Sequence, residues 1–146
     1  MPVPRLELTF MGTCVFVASG LKFRMDEFLG GSRFQPVSKF YKGDVPPLDN
    51  PKRQPRPDSG FTHLVSQDGN DHDLTGQFSD ALTFLRQNMI EIGRMKQFGA
   101  DNFLLDFGFV PGSTFQHSVY LPPELVDAMG QLKMGLIVSV IQIGKG

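Results

Sequence analysis

Three histidines, one cysteine and a scatter of carboxylates hold most of the reactive side chains of this 146-residue chain. His72 sits among Asp68, Asp71 and Asp73, and imidazole with carboxylate is a donor set for a divalent metal. The aspartates lack the alternating ligands, the glycine and the closing glutamate of a calcium loop. His63, His72 and His117 show no paired zinc spacing. Asp, Asn and Gly are also what a polar turn needs, so a turn is expected there and no metal ligand is assigned. Cys14 becomes a nucleophile only with a base such as His63 or His117 and an aspartate. Beside Val15 and Phe16 it reads instead as a small buried hydrophobe, and no Cys/His family signature surrounds it. Ser19, Ser59 and Ser113 each lie near glycine, but none forms a Gly-x-Ser-x-Gly elbow. Gly30-Gly31-Ser32-Arg33 and Asp68-Gly69-Asn70 lack the spacing and the lysine of a phosphate loop. Asp106 and Glu124 are the only carboxylates that pair on regular elements, and nothing in the sequence makes them converge for acid–base work. No catalytic residue and no cofactor is assigned.

A second kind of chemistry is recognition. Residues 35–60 carry six of the eleven prolines together with Lys39, Lys42, Lys52, Arg53 and Arg56. A long irregular excursion inside a compact domain is usually functional or mobile. Arg33, Phe34, Phe40, Tyr41, Arg53 and Arg56 supply the arginine and aromatic side chains that dominate binding hot spots, so they form the candidate partner-binding set. Asp44, Asp49 and Asp58 dilute the positive charge. With a net charge of −1, no nucleic-acid footprint is expected.

These residues need elements to position them. Leu6, Leu8 and Phe10 alternate with polar neighbours, and Thr13 to Ala18 continues as β-like sequence after Gly12, as one bulged strand or a hairpin. Residues 21–29 suggest a short helix and 37–41 a short strand. A further strand is expected over 61–66. The clearest amphipathic stripe is Phe78, Leu82, Leu85, Met89 and Ile92, predicting a helix over 79–97 with Ser79 as N-cap and Gly99 as the stop. Phe103, Leu105, Phe107 and Phe109 alternate as a strand with one apolar face. Residues 114–120 suggest another strand. Pro122 and Pro123 open a helix, with Leu125, Met129 and Leu132 on one stripe; Gly130 lies within or ends it, and Gly135 is the firmer stop. Residues 136–143 are the most apolar run. A strand apolar on both faces is usually central in its sheet, so this one is expected at the centre of the core. Strands interleaved with helices imply an α+β two-layer sandwich, a mixed or antiparallel sheet of about four to five strands with helices on one face. One domain is expected to span 1–146, interrupted by the basic, proline-rich loop at 35–60.

Fourteen phenylalanines against two tyrosines and no tryptophan imply a phenylalanine-rich core. The lone cysteine fits a reducing compartment. There is no signal-peptide pattern and no apolar run of the ~20 residues that span a bilayer. A cytoplasmic protein without a membrane segment is the expectation.

The order of features resembles a bacterial domain family of unknown function, some of whose members are found among immunity proteins of toxin systems. The resemblance lies in Lys42-Gly43-Asp44, in Arg56-Pro57-Asp58-Ser59-Gly60-Phe61, in Leu105-Asp106-Phe107-Gly108, in Tyr120-Leu121-Pro122-Pro123-Glu124-Leu125 and in Gly135-Leu136-Ile137-Val138-Ser139-Val140. It runs from Leu6 to Ile143, with its specific part between Phe103 and Val140. Such relatives often carry tryptophan where Phe61 stands. The resemblance implies a small protein that acts by binding another protein, and it transfers no catalytic residue. Three functions follow as expectations. The first is a non-enzymatic, immunity-like domain that sequesters a protein partner. The second is a small-molecule or metal-binding domain with a Phe-lined pocket and His63 or His117 as its polar handle. The third is a structural subunit that self-associates through an exposed sheet edge, a homo-oligomer.

Overall fold

The computed structural model describes residues 12–45, 54–67, 74–109 and 118–140. The expected first strand at Leu6–Phe10, the aspartate turn around His72, His117 with most of the 114–120 strand, Arg53, and the tail of the last strand (Ile141 and Ile143) lie outside the described residues.

Eight elements follow in chain order: β1 (Cys14–Gly20), α1 (Met25–Gly30), β2 (Ser38–Phe40), β3 (Ser59–Ser66), α2 (Thr75–Gln97), β4 (Asn102–Phe109), α3 (Pro123–Gln131) and β5 (Gly135–Val140). The strands form one mixed sheet in the order β2-β3-β1-β4-β5. β1 is antiparallel to both β3 and β4, β2 is antiparallel to β3, and β5 runs parallel to β4. The architecture is the expected α+β arrangement, an open sheet with three helices.

Alternation along β1 sets the two faces. Cys14, Phe16 and Ala18 are fully buried, while Val15 and Val17 are half-buried on the other side. Register places Phe16 beside His63 and Leu105, and Ala18 beside Phe61 and Phe103. Helix α2 packs on this same face, since the Phe84 ring lies 5.3 Å from Phe16 and the Phe78 ring 4.8 Å from Phe107. Helix α1 joins through Phe28, stacked on Phe61 at 6.4 Å. The core is therefore a phenylalanine cluster, with Phe16 in ring contact with Phe34, Phe61, Phe84 and Phe103. Such pairs contribute about 0.5–1.5 kcal/mol each beyond simple burial.

Gly20, Gly60 and Gly99 are each required by close packing against backbone. Gly99 follows α2 at φ +100°, and a Cβ there would strike the Lys22 carbonyl. Gly60 on β3 passes under Phe40, whose ring would lie 2.5 Å from any added Cβ. The expected helix stop at Gly99 is thus present, with the chain turning left-handed after Phe98.

Several expectations are corrected. Residues 136–140 are not the centre of the sheet. β5 lies at the end of the strand order, and Leu136, Ile137 and Val140 are 43%, 42% and 55% exposed. The central strand is β1, which has a hydrogen-bonded neighbour on each side. Hydropathy reports how much a strand could bury, whereas strand order decides how much it does. Helix α2 starts at Thr75, not Ser79; the Leu74 carbonyl accepts the Phe78 N–H at 2.8 Å. Asp80 is no helix-end residue but accepts the Ser66 hydroxyl at 2.7 Å, tying α2 to β3. Helix α1 starts at Met25, leaving Leu21 60% exposed in the preceding turn. Helix α3 ends at Gln131, with Gly130 inside it; Lys133 makes the left-handed turn at φ 54°, and Gly135 begins β5. The 35–60 excursion contains β2 and the start of β3 and is clamped at its base. The Gly43 N–H donates to the Arg56 carbonyl at 2.8 Å, and the Arg56 N–H to the Asp44 carbonyl at 2.7 Å.

Candidate functional site

Helix α2 does not run straight. Asn88 leaves helical geometry at φ −122°, ψ 16°, and its side-chain amide donates to the Phe84 carbonyl at 2.8 Å. Asparagine competes for backbone partners in this way, and a side chain inserted into the i→i−4 ladder is a recognised cause of a kink. Beside the break lies a cavity of about 570 Å³ lined by Arg33, Phe34, His63, Gln87, Asn88 and Glu91. Three segments build it: the loop after α1, strand β3, and the broken part of α2.

Each wall is held by its own contacts. The Phe34 N–H donates to the Ser32 hydroxyl at 3.2 Å, which fixes the loop. Arg94 binds the Gly31 carbonyl at 3.0 Å and Glu91 through two N–H donors, each at 3.1 Å. Its guanidinium lies 4.7 Å from the centre of the Phe28 ring and 5.3 Å from that of Phe98. Arg94 therefore staples the loop to the helix and orients the Glu91 carboxylate. Hydrogen bonding from Arg94, helped by the Ser32 hydroxyl and the nearby Arg33 charge, holds Glu91 below its ordinary pKa against the opposing effect of partial burial.

His63 stands between two phenylalanines, edge-on to Phe34 at 4.9 Å and stacked on Phe84 at 5.4 Å. Burial lowers its pKa below 6.5, partly offset by a hydrogen bond with the backbone of Gln35. Its Nδ1 is shielded from solvent and has no hydrogen-bond partner among the described residues. At neutral pH the ring is uncharged, with unused hydrogen-bonding capacity.

Of the six residues expected to bind a partner, the five that lie among the described residues fall in two places. Arg33 and Phe34 border the cavity, although Phe34 itself is buried. Phe40 pairs with Gly60 and so shares the face of Thr62, opposite that of His63. Arg56 lies 3.8 Å over the Phe40 ring and pairs with Asp58 at 3.0 Å. Tyr41 donates its hydroxyl to Asp26 at 3.1 Å, and its N–H binds Asp44 at 2.7 Å. Arg53 falls outside the described residues.

Cys14 is fully buried, and burial pushes its thiol up, reinforced by the charges of Asp106 and Asp80. That is the opposite of an activated nucleophile. Asp106 accepts the Ser139 hydroxyl at 2.7 Å on the face away from the helices. Glu124 lies in the first turn of α3, and no hydrogen bond joins it to Asp106 among the described residues. Among the described residues no group of three or more His, Cys, Asp or Glu is arranged to hold a metal, and no helix is long and apolar enough to cross a membrane.

Sequence reasoning missed Gln87, Asn88 and Glu91, which lie off the apolar stripe of α2. The available signal was Asn88 itself, a residue that favours local backbone contacts placed deep inside a predicted helix. No protein-family model matches the chain, and no significant match is found among curated proteins or among solved structures.

Proposed function

We propose that this chain is a non-enzymatic binding domain whose pocket beside the Asn88 break takes a small polar molecule. The observation that supports this is convergence. Arg33, His63, Gln87, Asn88 and Glu91, drawn from three separate segments, surround one cavity of about 570 Å³. That volume falls within the usual range for ligand sites, roughly 300–1,000 Å³, which pair an apolar wall with a few placed polar groups. Phe34 supplies the apolar wall, and Arg33, Gln87, Asn88 and Glu91 supply the placed polar groups. The buried, raised Cys14 thiol offers no nucleophile, in keeping with binding rather than catalysis. The lone cysteine fits a reducing, cytoplasmic setting.

The test is a melting scan against metabolites, nucleotides, amino acids and divalent metals. A ligand that binds only the folded state raises stability by about 2.7 kcal/mol at a hundred times its Kd. A scan with no shift across the panel removes the proposal.

A second reading is recognition of a protein, as the family resemblance implies. The supporting observation is the corner where Arg56 stacks on Phe40 beside Tyr41, which is 39% exposed. Arg and Tyr packed in this way are pre-ordered interface anchors. Affinity purification from the native source tests it: a single partner recovered at near-equal ratio, and lost on Tyr41→Ala, supports this reading, while an empty eluate sinks it.

A further inference from the structure

The two ionised groups at the pocket have opposite sign and are not spent on each other. Glu91 is paired with Arg94, and both of its oxygens accept from that guanidinium. A carboxylate offers about four lone-pair sites; Arg94 takes two and the Ser32 hydroxyl a third, so Glu91 retains room for about one more donor. Arg33 takes part in none of the ion pairs or side-chain hydrogen bonds found among the described residues. It is exposed, and it lies near enough to Glu91 for its charge to favour the carboxylate. Between these charges stand the neutral groups His63, Asn88 and Gln87 and the ring of Phe34.

Arg94 offsets much of the Glu91 charge, so a simple cation is opposed by Arg33, while an anion on Arg33 leaves the free acceptor of Glu91 unused. A molecule carrying both charges a few bonds apart satisfies both walls at once. Resting on the pocket reading above, we propose that the ligand is a free α-amino acid, its carboxylate on Arg33 and its ammonium on Glu91. Its side chain lies along Phe34 and His63. The amides of Asn88 and Gln87 offer donors and acceptors to the backbone atoms of the ligand.

The experiment is calorimetric titration of the protein with each common free L-amino acid. N-acetyl and carboxamide derivatives of the best binder serve as single-charge controls. At least one amino acid binds, and each control binds about tenfold or more weakly, as expected for loss of a charged hydrogen-bonding group. Arg33→Gln weakens the amino acid by about tenfold or more but barely changes the carboxamide, which has no carboxylate to lose. Glu91→Gln does the same for the ammonium, read against the N-acetyl control. Unliganded melting curves of both variants confirm that they fold. The inference is overturned if no amino acid binds, or if either control binds as tightly as its parent. If another compound in the melting scan shifts the protein while amino acids do not, the ligand class is wrong and the pocket reading stands. If nothing shifts, both fall.

Discussion

Strands β1 and β5 are both rich in side chains that favour sheets, yet they live in opposite surroundings. β1 reads CVFVASG and holds Cys14, Phe16 and Ala18 at zero exposure. β5 reads GLIVSV and leaves three of its four large apolar residues more than two-fifths exposed. The difference is strand order. β1 is paired along both edges, by β3 and β4, and α2 covers it, whereas β5 is paired by β4 alone among the described residues. Side chains buried by neighbours on all sides carry the stability, whatever the apolar content of the strand itself.

The sharpest break in this comparison is a pair of truncations. Phe16→Ala removes the ring at the centre of four aromatic contacts and is expected to cost about 3–5 kcal/mol in urea unfolding. Leu136→Ala on β5 should cost under about 1 kcal/mol. Equal costs would mean that β5 is covered in solution. Next in size, Gly99→Ala should cost about 2 kcal/mol, because it combines a left-handed backbone with a clash at Lys22.

A smaller effect distinguishes the centre by pH. The folded pKa of His63 lies below its unfolded value of 6.5 because burial disfavours the charged ring. The unfolded chain therefore takes up the proton first as pH falls. His63 contributes its full share of stability above pH 6.5 and loses it as pH drops towards the lower folded value, with a slope of at most about 1.4 kcal/mol per pH unit. His63→Phe should flatten that part of the stability profile relative to wild type. An unchanged profile would show that the ring is solvated. The smallest effect is chemical: Cys14, with its thiol pushed up by burial, should resist alkylation in the native protein and react only on unfolding.

Much of the fold was legible from pattern. Alternation located β4 and the 3.6 period located α2, because each has one face committed to the core, while β-like composition marked the segments that form β1 and β3. The placement of β5 was not legible, since period and hydropathy describe a strand and say nothing of which strands lie beside it. The pocket was half legible. His63 was one of the two histidines named as a polar handle, whereas Arg33 and Phe34, the one phenylalanine of the lining, were selected for a different reason. Gln87 and Glu91 are ordinary helix-surface residues until the break at Asn88 and the loop that Arg94 ties down at Gly31 make a cavity beside them. Of the described residues in the recognition set, Arg33 and Phe34 went to the cavity and Phe40 to the opposite sheet face, because register, which decides the face, cannot be read from composition.

The position of β1 also has a consequence for synthesis. Cys14 pairs with Ser66 on one side and Phe107 on the other, so the central strand is made well before either neighbour. At roughly 5–20 residues per second of translation, β1 waits on the order of 10 s for β4. For the first part of that interval β1 has no partner strand, and once β3 is made it can pair along one edge only, so the other edge of the central strand stays open until β4 is complete.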